Sequence, residues 1–152
     1  MHVQSLRQQW LAVLSTAKRE DLKRIWRERD AGHEFRCLRK TVSGLCMVRG
    51  RSDGAGRPFN LGEATISRCV VTTTDSANHT PITGVGYVLG RDRDRADLMA
   101  RFDALFQDSA HGLPAVESVL SELESKQQQA AAAAARKTDS TRVEFFTMVR
   151  GE

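Results

Sequence analysis

A chain of 152 residues, 40% hydrophobic and 28% charged, has enough apolar content for one real core and reads as a single α+β domain over residues 1–152. It has no run of about 18 apolar residues to span a membrane and no N-terminal apolar run before a small-residue cleavage site. Neither membrane insertion nor secretion is expected, and the cytoplasm is the predicted location. The formal charge of +4 is uneven, with ten Lys/Arg against five Asp/Glu in residues 1–40 and near balance after that. This pattern is compatible with a nucleic acid, an acidic protein or a phosphorylated ligand as partner, and the plainer reading is a solvated helix face.

In chain order, Ser5-Leu-Arg-Gln8 has the form of a capping box opening a helix whose apolar face holds Trp10, Leu11 and Leu14. A second helix is predicted over Arg19–Arg29, with Leu22, Ile25 and Trp26 on one side, and Asp30-Ala-Gly32 ends it. From Phe35 the apolar period becomes two. Strands are predicted near Phe35–Val42 and Leu45–Arg51, joined by a turn at Ser43-Gly44. Ser52–Pro58 reads as a loop, followed by strands near Ala64–Thr73 and Val85–Leu89 with a polar loop over residues 74–84. Asp92-Arg-Asp94 suits a helix N-terminus, and Leu98, Phe102, Leu105 and Phe106 form that helix's buried stripe.

A further helix from Pro114 carries Val116, Val119, Leu120 and Leu123 and runs into an alanine tract. Residues 124–141 are expected to be a helical, low-complexity spacer leading to a C-terminal strand over 142–150. In that strand Val143, Phe145, Thr147 and Val149 share one face, and Phe146 and Met148 the other. Both faces then need cover, one from the chain's own core and the other from a helix of this chain or from another protein. Arg142, Phe145, Phe146, Met148 and Arg150 are the interface candidates. With no βαβ repeat, the predicted class is α+β: a helix pair, an antiparallel sheet, two further helices and the C-terminal strand.

Reactive groups do not cluster. Cys37, Cys46 and Cys69 lack CxxC spacing and are predicted to be reduced core thiols, with no metal site expected. His2, His33, His79 and His111 are scattered and read as ordinary surface residues. Gly84-Val-Gly86-Tyr-Val-Leu-Gly90 has GxGxxxG spacing inside a strand, so Gly86 is expected to allow close backbone approach rather than to bind a dinucleotide. Gly54-Ala-Gly56-Arg57 offers amides to a phosphate but is the residue pattern of a plain loop. Arg68 stands among Ala64, Ile66, Val70 and Thr72 on an apolar face, where an unpaired guanidinium is costly. It therefore calls for Glu63, Asp92 or an anionic ligand. No catalytic residue is assigned.

Three segments taken together resemble the G subunit of the bacterial phosphonate carbon–phosphorus lyase system, the PhnG family: Gly54–Cys69, Gly86-Tyr-Val-Leu-Gly-Arg-Asp92 and Arg142-Val-Glu-Phe-Phe-Thr-Met-Val-Arg-Gly151. The opening Arg7-Gln-Gln-Trp-Leu-Ala-Val-Leu14 is similar as well. The match spans nearly the whole chain in order, and it departs in a lengthened 74–84 loop and in the alanine tract. The resemblance implies a cytoplasmic core complex with the H, I and J proteins. It also implies a role, with H, I and L, in displacing adenine from ATP by a phosphonate to give ribose 1-phosphonate 5-triphosphate. In that scheme the I protein carries the nucleosidase chemistry, and the J protein later cleaves the C–P bond with an iron–sulfur cluster and S-adenosylmethionine. ATP is then a substrate of the complex, and no cofactor is expected on this chain alone. Two rivals stand beside it: a nucleic-acid-binding module using the basic N-terminal helices, and a stand-alone enzyme using Arg68 and Glu63.

Overall fold

A computed structural model describes residues 3–29, 32–52, 56–110 and 112–140. In order these form α1 (Val3–Thr16), α2 (Arg19–Arg29), β1 (Arg36–Gly50), β2 (Phe59–Thr74), β3 (Pro81–Leu89), α3 (Arg93–Phe106) and α4 (Gly112–Asp139). The strands make one antiparallel sheet in the order β1-β2-β3, so the class is α+β, as expected. The expected C-terminal strand, residues 142–150, lies outside the described residues.

The helices arise where the sequence places them. α2 spans its predicted residues, and Gly32, at φ 76°, lies in the left-handed region that favours glycine after a helix. α3 opens on Asp92, whose carboxylate accepts the N–H of Arg95 at 3.0 Å, and its stripe of Leu98, Phe102, Leu105 and Phe106 is buried. α1 is already helical at Val3, so Ser5 is not its N-cap. α4 starts at Gly112, before Pro114, and buries Val116, Val119 and Leu123. Its residues 128–139, the alanine tract included, are exposed.

The strands depart further from expectation. Ser43-Gly44 is no turn. Ser43 pairs with Ser67, their hydroxyls 2.9 Å apart, and Gly44 pairs with Ile66. A Ser-Gly pair permits a turn without requiring one, and the long partner strand β2 holds it extended. β1 and β2 are thus two long strands where three shorter ones were predicted, and β3 starts at Pro81, inside the expected 74–84 loop.

The core is built from Trp10, Leu14, Leu22, Ile25, Phe102, Phe106 and the buried side of α4 against one face of the sheet. Trp10 meets Phe106 edge-on at 5.6 Å, and Trp26 meets Phe102 at 5.1 Å. α3 lies very close to β3: a Cβ on Gly84 would come within 2.0 Å of the Ala100 carbonyl, and one on Gly86 within 2.0 Å of that of Ala96. These glycines admit a helix backbone, which settles the GxGxxxG segment as a packing feature. The thiol prediction holds only for Cys69. Cys37 and Cys46 are exposed, both on the edge strand β1.

Candidate functional site

Among the described residues, the buried carboxylates are occupied in holding the fold. Asp103 is wholly buried. It accepts Nε and Nη2 of Arg7 at 3.1 and 2.7 Å, the indole N–H of Trp10 at 2.9 Å and the Val85 amide at 2.9 Å. Buried Asp75 accepts the amides of Ala77, Asn78 and Ser109 and the Ser109 hydroxyl. These bonds, that of the Ser109 hydroxyl foremost, hold its pKa down to about 2. Nearby Asp108 takes the Ser76 amide at 2.7 Å. The two carboxylates clamp the β2–β3 turn to the end of α3, and with amide donors on each they are not an acid–base pair. Burial pushes the Cys69 thiol above its ordinary pKa, the opposite of an activated nucleophile. Among the described residues no cluster of three or more His, Cys, Asp or Glu could hold a metal.

The basic N-terminal helices are likewise matched locally. Lys23 pairs with Asp94 at 2.9 Å, Arg24 with Glu28 and Glu122, and Asp21 with Lys126. Arg29 donates to the Ser118 hydroxyl. This pairing zips α2 against α3 and α4 and gives no support to the nucleic-acid reading.

The uncommitted chemistry lies on the sheet. α3 covers the face carrying Ser67, Cys69, Val71 and Thr73, all buried. The opposite face of β2, with Ile66, Arg68 and Val70, has no helix over it among the described residues. Beside it stand exposed Val42, Tyr87 and Leu89. Beyond the Ile66–Leu89 pair β3 stops, and among the described residues β1 and β2 continue as a two-stranded ribbon, Ser43–Gly50 against Phe59–Thr65. At about 3.3 Å per residue the ribbon extends roughly 23 Å. Leu45 (66% exposed) and Met47 continue the core-facing side past the reach of α3, and Leu61 (61%), at the β2 bulge, lies against Gly50 on the other face. The surface is also basic: β1 and the residue after it carry Arg36, Arg39, Lys40, Arg49 and Arg51, all exposed, and no acid.

Arg68 therefore sits on an apolar face, but the uncovered one. It is exposed, with Val42 and Tyr87 as its strand partners, and it has no ion pair among the described residues. Glu63, five residues along β2, belongs to the other face and cannot reach it, and Asp92 is engaged as the α3 cap. Arg142, Phe145, Phe146, Met148 and Arg150 lie outside the described residues, as do Gly54 and Ala55 of the loop weighed for phosphate. Sequence reasoning missed Leu45, Met47 and Leu61 as surface groups. Nothing in the residues themselves tells how far the covering helix extends.

Among the described residues, the fold and this surface define an α+β protein with a basic, apolar exposed sheet face and ribbon. The family described as "Phosphonate metabolism protein PhnG" matches residues 5–151, and the chain belongs to that family. It is 41% identical over 146 residues to the "Alpha-D-ribose 1-methylphosphonate 5-triphosphate synthase subunit PhnG" of Rhizobium meliloti (strain 1021), covering 96% of this chain and 90% of that protein.

Proposed function

We infer that this chain is an accessory subunit of a phosphonate ribosyl-triphosphate synthase, part of a carbon–phosphorus lyase core built with the H, I and J proteins in the cytoplasm. With the H, I and L proteins it supports attack of a phosphonate oxygen on the ribosyl carbon of ATP. The new C–O bond forms as the bond to adenine breaks, giving ribose 1-phosphonate 5-triphosphate. ATP is a substrate of the assembly, and this chain alone holds no cofactor. Its own contribution is to bind partners and shape their site. Arg68 on the sheet face and Arg142, Phe145, Phe146, Met148 and Arg150 near the C-terminus are the contact candidates.

The observation that carries this reading is the uncovered apolar sheet face and ribbon, since large exposed apolar patches mark interaction sites. The test is co-expression with the other synthase subunits. The chain should co-purify with them, and phosphonate-dependent adenine release should require it. Truncation after Asp139 should abolish assembly. An intact, fully active assembly formed without this chain overturns the reading.

A further inference from the structure

We propose that the free edge of β1 at Ser43–Met47 takes a β-strand from a neighbouring subunit of the synthase: an extended apolar segment flanked by acidic residues. The proposal rests on the subunit reading above and specifies the partner's chemistry.

The sheet's two edges are treated differently. On β3, Val85 gives its amide to Asp103 at 2.9 Å, and the Thr83 carbonyl accepts Nε2 of Gln107 at 3.0 Å. Asp103 of α3 and Gln107 at its C-cap thus close that edge. β1 has no such cover among the described residues, and an open edge strand is a template for pairing.

The register shows which groups are free. Because Val85 turns its N–H to Asp103, the Val70–Val85 pair is not hydrogen-bonded across β2 and β3. Val70 therefore directs its own N–H and C=O toward β1, and by alternation so do Arg68, Ile66 and Ala64. Thr65, one step out of phase, agrees: its carbonyl faces the β3 side and accepts the Gly90 amide at 2.8 Å. Val42, Gly44 and Cys46, paired with Arg68, Ile66 and Ala64, point into the sheet. Ser43, Leu45 and Met47 present their N–H and C=O groups outward.

Three features choose the occupant. A two-stranded ribbon is marginal in water unless a third strand or a helix covers it. An added strand supplies that cover and buries Leu45 and Met47, which are exposed in the chain alone. Arg39, Lys40, Arg49 and Arg51 flank the free edge without an acid between them. Two copies pairing antiparallel about Leu45 would bring Arg39 near Arg51 of the other copy, a like-charge contact that disfavours self-pairing. Acidic flanks on a different subunit match the same groups.

Amide hydrogen exchange tests this on the full chain, alone and assembled with the other synthase subunits. Leu45 and Met47 amides should exchange freely in the chain alone and slow by at least about tenfold in the assembly, with the Val85 amide unchanged. Protection already present in the chain alone means that its own segment or a second copy fills the edge, and overturns the proposal. Assembly without protection at Leu45 and Met47 also overturns it while leaving the subunit reading intact. Failure of the wild-type chain to assemble at all overturns the subunit reading itself. Leu45→Pro removes an outward amide and no β1–β2 hydrogen bond, and should cut assembly by at least about tenfold. Should that variant misfold, Arg39→Glu/Arg49→Glu leaves the backbone intact and should weaken assembly by a similar factor of about ten. Wild-type assembly by the folded proline variant, or by the charge-reversed one, counts against the proposal.

Discussion

Trp10 donates its indole N–H to Asp103 at 2.9 Å, joining positions 93 residues apart in a carboxylate that has no exposed surface. Arg7 and the Val85 amide complete the set, so this one side chain ties α1, α3 and β3 together. Without Asp103 the buried Trp10 indole N–H and the Val85 amide lose their acceptor, at about 1–3 kcal/mol for each buried unpaired donor, while Arg7, 35% exposed, stays partly solvated. Asp103→Ala should therefore unfold at far lower denaturant than wild type. Trp10→Phe, which loses a single donor, should cost about 1–3 kcal/mol.

Gly84 and Gly86 should tolerate no side chain. A methyl at either position meets helix backbone at 2.0 Å, and backbone cannot swing aside as a flexible side chain can. Gly86→Ala must push α3 off the sheet, at a cost of about 1–3 kcal/mol or more. Thermal unfolding should show a clear drop, against an unchanged midpoint for Gly44→Ala, where the added Cβ has open space.

Asp75 sets an acid limit on stability. Its folded pKa of about 2 lies below the ordinary 3.8. The unfolded chain therefore takes up the proton first as pH falls. The stabilisation is fully present above pH 3.8 and is lost progressively toward pH 2. Urea midpoints measured across that interval should fall, and Asp75→Asn should flatten this part of the profile while lowering the plateau above it.

Arg68 should be silent in the isolated chain. Exposed and without an ion pair among the described residues, it should give Arg68→Lys a stability within about 0.5 kcal/mol of wild type. Any effect should appear only in the assembled synthase, as weaker assembly or reduced adenine release. A clear loss of thermal stability in the chain alone would show a structural role instead.

Much of the architecture was legible along the chain because it is local. The α2 boundaries, the Asp92 cap, the buried stripe of α3 and the role of Gly86 depend on periodicity, capping chemistry and missing side chains. The motifs Gly86–Asp92 and Arg142–Gly151 carried the family resemblance before any fold was known. Pairing and coverage were not legible. Ser43-Gly44 has the composition of a turn and is held extended by its pairing with β2. The more apolar face of β2, bearing Ile66 and Val70, suggested the core, yet α3 packs on the face of Ser67 and Cys69. Small residues there, with Gly84 and Gly86 on β3 and Ala96, Ala100 and Ala104 on α3, let helix and sheet backbones approach closely. Hydrophobicity ranks faces, but the closeness of that approach decides which one is covered. Asp103 shows the same limit: its partners at positions 7, 10 and 85 meet it only in three dimensions. Local sequence thus determined the helices and the family. The tertiary structure alone decided which apolar surface is core and which is left for a partner, because burial depends on where a covering helix ends.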